Sequence, residues 1–220
     1  MRKILTLPAT ALVGLLTMAA VNGEKPLKTT RGDSVSAVPE AMMWNVDQPH
    51  TEINFSVKHF FTPVTGTFNA YAVEFMFDRD YPAKSSVKVA IDVASVDTNN
   101  ERRDNHLRSG DFFDAEKHPQ MTFESTSVRQ VSENKLIATG NLTIKGITQE
   151  VELPINILGI KEIPEGPMRE MLGGVTQVAS FEAGTTIDRR EFEVGVANWA
   201  QTMIVGGEVE VSINLEANRK

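Results

Sequence analysis

The sequence predicts an all-β protein, an eight-stranded antiparallel barrel with a short helix or lid segment. Two observations carry this. From Trp44 onward apolar residues recur at every second position, which is the period of a strand with one buried face. Eight such stretches follow one another, and a closed barrel buries all their apolar faces together while removing exposed edges. A two-sheet sandwich has the same alternation. Short links such as Lys145-Gly146-Ile147 and Thr62-Pro63 favour antiparallel neighbours in either fold, so the sandwich stays open as an alternative.

In order, Ile53, Phe55 and Val57 alternate with Asn54, Ser56 and Lys58. Val73, Phe75 and Phe77 follow Phe68 and Tyr71 at an odd offset, which predicts a bulge. Val87, Val89, Ile91 and Val93 form the third stretch, and Met121, Phe123 and Ser125 the fourth. Leu136 to Ile144 is the fifth and Val151 to Ile157 the sixth. Phe181 to Ile187 alternates more weakly, and Val209, Val211, Ile213 and Leu215 give the last. One segment breaks the rhythm: Asn99 to Ser109 is charged and stops at Gly110, as a short helix would. Phe112 and Phe113 follow at once, either as the ring side of a lid on the barrel mouth or as core plugs.

Ahead of this domain, Arg2 and Lys3 precede an uncharged run from Ile4 to Val21 with small residues at Ala19, Ala20 and Gly23. That pattern is a secretory leader, so residues 1–23 are expected to be a cleaved signal peptide and the protein periplasmic. Residues 24–42 are rich in Lys, Thr, Gly, Ser and Pro and read as a flexible linker to the barrel at 43–220. The Arg31-Gly32-Asp33 tripeptide within it is best explained by chance. Loss of Arg2 and Lys3 takes the formal charge from −7 to −9. With no basic patch in view, so acidic a chain repels a phosphate backbone, and no nucleic-acid partner is expected. The absence of cysteine excludes disulfides, thiolate metal sites, a Cys nucleophile and a lipoprotein anchor. No later segment is long and apolar enough to span a membrane.

These residues also carry a family resemblance. Trp44-x-x-Asp47-x-x-His50, Phe55-x-Val57-x-His59 and Val64-x-Gly66-x-Phe68 come first. Ser95-Val96-x-Thr98 leads into Arg103-Asp104-x-His106-Leu107-Arg108 and Asp111-Phe112-Phe113-Asp114. Pro119-x-x-x-Phe123-x-Ser125, Gly140-x-Leu142-Thr143-Ile144-x-Gly146-x-Thr148 and Ile187-Asp188-Arg189-Arg190-Glu191-Phe192 continue in order, and Leu215-Glu216-Ala217 closes the series. Together they resemble the YceI-like family of periplasmic polyisoprenoid-binding proteins, over roughly Met43 to Asn218. Glu191-Phe192-Glu193 departs from the more usual Asp-Phe-Gly, and Pro164 to Gly174 is an insert. The resemblance implies a lipocalin-like barrel that holds the isoprenoid tail of a quinone-type or similar lipid.

The ligand-binding residues expected on this basis are Phe55, Val57, His59, Phe68, Phe75, Val89, Ile91, Phe123, Leu142, Ile155 and Phe181, with Phe112 and Phe113 from the lid. Gly66, Ser125, Ala138 and Gly140 on inward faces are expected to leave the lumen open. No cofactor beyond the lipid is expected, and a homodimer stays open. Catalysis finds little support. There is no G-x-S-x-G, H-E-x-x-H or phosphate loop, and Ser85-x-x-Lys88 would point to opposite faces of a strand. His50, His59, His106 and His118 are too scattered for a local metal pair, so no metal site is expected. His50 and His106 are expected to bond backbone, and His59 to be a satisfied core group or a polar neighbour of the ligand head. The rival readings are a lipid-modifying enzyme, which needs His59 beside a carboxylate in the lumen, and a stress or adhesion module with a structural lipid.

Overall fold

Tight turns set the antiparallel course of the chain. Lys145 and Gly146 both take positive φ, 52° and 79°, the geometry of a two-residue hairpin turn whose twist matches its strands. The computed structural model describes residues 42–201 and 203–220. The expected leader, the Arg31-Gly32-Asp33 tripeptide and the linker lie outside the described residues, except Met42, which opens the first strand.

The strands are β1 (Met42–Val46), β2 (Glu52–His59), β3 (Thr62–Phe68), β4 (Tyr71–Phe77), β5 (Ser86–Asp92) and β6 (Val96–Asp97). After helix α1 (Glu101–Arg108) come β7 (Gln120–Ser132), β8 (Lys135–Ile144) and β9 (Ile147–Glu162). Helix α2 (Pro167–Met171) precedes β10 (Gln177–Asp188) and β11 (Val205–Arg219). Strands β1 and β2 are two halves of one stave, as are β3 and β4, and β5 and β6: β2 pairs with β3 where β1 pairs with β4, and β3 pairs with β6 where β4 pairs with β5. The result is an eight-stave antiparallel meander. It closes because β11 pairs with β1 at Asn45↔Asn218 and with β2 at Ile53↔Ile213. This closure decides between barrel and sandwich.

The expected bulge after Phe68 is a break at Asn69 and Ala70. The chain is held across it by backbone bonds from Asn69 N to Ser95 O (3.2 Å) and from Asp92 N to Ala70 O (2.9 Å).

Two clusters fill the barrel. Toward one end Trp44, Phe75, Phe77 and Phe181 interlock, with Phe181 edge-on to Phe75 and Phe77 at 5.0 and 5.1 Å. The Trp44 indole N–H donates to Phe77 O at 3.0 Å. Ala138, Ala179 and Ala217, with no exposed surface, let these rings approach the wall. The other cluster joins Ile53, Phe68, Phe112, Met121, Ile144 and Phe192.

The expectation that small inward residues empty the lumen is corrected here. A Cβ on Gly66 would stand 2.4 Å from the Phe55 ring, and one on Gly140 would stand 2.7 Å from Phe123. Those rings therefore already occupy the space above the glycines. The Ser125 hydroxyl accepts the Val87 N–H at 3.0 Å, and Ala138 belongs to the sealed aromatic end.

Candidate ligand-binding site

The open half of the barrel holds a cavity of about 690 Å³. β-Branched residues make much of its wall: Val57 on β2, Val89 and Ile91 on β5, Val151 on β9, and Val209 and Val211 on β11. Phe55, Phe68, Phe123, Phe192 and Trp199 line it as well, whereas at the sealed end Trp44, Phe75, Phe77 and Phe181 pack together.

Ten of the expected ligand residues line it: Phe55, Val57, His59, Phe68, Val89, Ile91, Phe112, Phe113, Phe123 and Leu142. Phe75, Ile155 and Phe181 do not. Phe75 and Phe181 are core of the sealed cluster and Ile155 packs against it, so their inward phase is right but they lie too far along the staves. Phe112 and Phe113 serve both of their expected uses, since they belong to the core cluster and form cavity wall. No residue of the Pro164–Gly174 insert lines the cavity.

Helix α1 lies across the mouth, and the motif residues fasten it there. Its N-cap Asn100 side chain accepts the Arg103 N–H at 3.0 Å. Buried Asp104 accepts both the N–H and the hydroxyl of Thr98, and that hydroxyl accepts Arg103 Nε at 2.7 Å. Arg108 donates to Ala94 O and Val96 O. His106 meets Asp111 at 2.9 Å, and its ring lies against Phe112 and Trp199. His50 likewise meets Asp47 at 3.0 Å. Both histidines bond carboxylates where backbone was expected. His59 is neither buried nor in the core. It ends β2 exposed at the mouth, its ring edge-on to Phe60 at 4.9 Å.

Sequence reasoning missed Arg189. Only 4% exposed, its guanidinium donates to the carbonyls of Val194 (2.7 Å), Trp199 (2.7 Å), Gly206 (2.8 Å), Val205 (3.0 Å) and Gly195. Burial pulls its pKa down from the usual guanidinium value. It stitches the 189–206 segment into the cavity wall, a role invisible locally because its partners are backbone.

The lining carries Lys58, Arg102, Arg103 and Arg189 with His59 and His106, and no Asp or Glu, although the chain has 29 acidic residues against 22 basic. The carboxylate that an acid–base pair with His59 would need is not among the lining residues. Ser85 and Lys88 are also apart: Ser85 Oγ accepts Asp78 N–H, and Lys88 faces Glu124. Among the described residues Asp47, His50 and Glu216 bring potential ligand atoms within 4.8 Å of one another, a grouping concealed by sequence distance. His50 is two-thirds exposed there and is pinned by Asp47 and, at 3.8 Å, by Glu216. The two carboxylates raise its pKa, Asp47 the more.

The YceI-like domain model matches residues 44–217. The chain belongs to the YceI-like family. This YceI-like protein is 37% identical over 146 residues to a UPF0312 protein of Ectopseudomonas mendocina, covering 66% of this chain and 72% of that one. It is 34% identical over 172 residues to a UPF0312 protein of Vibrio campbellii, covering 78% and 83%. Among solved structures, BcnA of Burkholderia cenocepacia superposes with a TM-score of 0.68 at 29% identity, over 79% of the YceI-like chain and 99% of its own. The Campylobacter jejuni YceI protein gives 0.63 at 31%, over 72% and 86%. A polyisoprenoid binding domain from Saccharophagus degradans, implicated in plant cell wall breakdown, shares the fold at 0.57 and 12% identity, over 80% and 98%.

Proposed function

We propose that this protein binds one long apolar lipid, of polyisoprenoid or isoprenoid-quinone type, inside the barrel for carriage or storage, and that it works in the periplasm after its leader is removed. The observation that carries the reading is the 690 Å³ cavity, walled by valine, isoleucine and phenylalanine, with polar lining residues that are all basic or neutral. At about 30 Å³ for a water-sized group, such a volume accepts about twenty chain carbons. Each buried CH₂ contributes about 0.8 kcal/mol, so about fifteen of them offset the cost of association and leave about micromolar binding or better. The binding activity of the Saccharophagus degradans domain supports the choice of lipid class by shared fold. The absence of a lining carboxylate favours a holder over a catalyst.

Ile91 provides the test, because it lines the cavity and its exchange for tryptophan adds volume without adding charge. Ile91→Trp is expected to weaken binding of a fluorescent polyprenyl analogue about tenfold or more, a loss of about 1.4 kcal/mol or more. The apo melting temperature should barely move, because the indole enters empty space. Outward-facing Asp92→Trp should leave the affinity unchanged and lower only the melting temperature, since the Asp92 carboxylate accepts the Ala94 N–H at 2.9 Å. Equal affinities for wild type and Ile91→Trp would remove the lipid from this cavity.

A further inference from the structure

The β2–β3 hairpin turn is built from Phe60 and Phe61, which are 51% and 93% exposed. Phe60 holds φ at 51°. Two-residue hairpin turns ordinarily take Asn-Gly or a leading glycine, and a bulky side chain in the left-handed region is an outlier. Backbone strain of this kind is held in place by the surrounding structure and clusters at functional sites. Met203, 73% exposed, lies in the neighbouring segment, where the Phe60 N–H donates to Ile204 O at 2.8 Å. This apolar tip stands at the cavity mouth: the adjoining pair His59↔Val205 lines the cavity, whereas Phe60, Phe61 and Met203 do not. Lys58 and His59 precede it in the chain, and Arg102 of α1 is exposed on the same mouth.

We propose that Phe60, Phe61 and Met203 form a docking tip that enters the headgroup layer of an anionic phospholipid bilayer and sets the mouth of the cavity on the membrane surface. Aromatic side chains favour that layer, and nearby lysine and arginine are attracted to anionic headgroups. A chain of formal charge −7 is repelled by such a surface unless it presents a local basic patch, and Lys58 and Arg102, both exposed at the mouth, supply it. A second copy fits the tip less well, since tip-to-tip pairing would set Lys58 and His59 against themselves. The inference goes beyond the cavity reading by naming the surface from which a lipid would be exchanged, and it is tested separately from it.

The protein recovered from its host is floated with vesicles of phosphatidylethanolamine and phosphatidylglycerol, and with vesicles of phosphatidylcholine alone. Wild type is expected to rise with the anionic vesicles and to be released by salt. Phe60→Gly with Phe61→Ser should lower the bound fraction about tenfold or more. Glycine suits the turn, so the fold is kept and the melting temperature should not fall. In Phe61→Trp, tryptophan emission should shift to the blue and be quenched by headgroup-proximal doxyl lipids when anionic vesicles are added. Equal flotation of wild type and variant, no flotation of wild type, or loss only of self-association in sedimentation would each overturn the proposal. Titration with a soluble short-chain isoprenoid, without vesicles, should be the same for both proteins. If that titration fails while vesicle binding holds, the cavity reading falls and the docking tip stands.

Discussion

A Cβ on Gly140 would stand 2.5 Å from the Glu124 carbonyl oxygen as well as 2.7 Å from the Phe123 ring. Gly140→Ala must therefore move backbone as well as a ring. It is expected to cost about 1–3 kcal/mol, at about 2–4 °C of melting temperature per kcal/mol. Glycine alternation in a strand thus carried two meanings, open space or space already taken by a neighbour's ring, and only the position of that ring separates them. The family departure at Glu193 has a similar local meaning: Glu193 sits at φ 53°, where glycine costs nothing. Asp188 shows the same dependence on one neighbour. The Arg190 guanidinium, bonded to its carboxylate, and the Arg190 N–H hold its pKa at about 2. Because the folded value lies below the unfolded one, this stabilisation is complete above about pH 4 and is lost as pH falls toward 2. Asp188→Asn keeps the turn-capping acceptor but not the charge. The gap between its urea midpoint and that of wild type should be present at about pH 6 and close between about pH 4 and pH 2. The effect should be small, since Arg190 is half exposed.

Elements were legible wherever alternation was strong. All eight staves could be read from the period-two pattern, and the helix from the charged break in that pattern and its stop at Gly110. What alternation did not reveal was their extent. Strand β7 runs on to Ser132 through a polar stretch in which only Val128 is buried, carried by its pairing with β8 across bulges near Ser127 and Ser132. The lid was legible as a helix, while its fastening was not, and one hydroxyl links two of the groups that hold it. Thr98 Oγ1 donates to Asp104 and accepts from Arg103, so Thr98→Val leaves the buried carboxylate and the guanidinium each short of a partner. The expected cost is about 1–3 kcal/mol. Amide exchange should accelerate across Glu101–Arg108 before it does in the staves, and uniform acceleration would show that the lid does not open by itself.

At the scale of the molecule, the sequence told which residues face inward but not how far along the barrel each one lies. Phe75 and Phe181 share the inward phase of Phe55, yet they plug the other end, with Phe123 at the boundary as a member of the plug cluster that also lines the cavity; stave stagger, which no single strand records, sets that difference. The two ends should therefore respond differently to truncation. Phe181→Ala is expected to cost about 3–5 kcal/mol of stability while leaving affinity for the polyprenyl analogue unchanged, as measured by paired melts and titrations. A parallel loss of affinity would show that the plug and the cavity act as one unit. The ring closure itself has a kinetic meaning. Asn45 meets Asn218 across 172 residues of intervening chain, and β1 and β2 both wait for β11 as their second neighbour. A nascent chain can form the consecutive hairpins from β2 to β10 in turn, but the seam cannot be drawn shut until β11 has been released. Folding is then expected to be slow for its length, with the last step the joining of β11 to β1 and β2. Until that step the half-built barrel keeps an edge that a holding chaperone could cover.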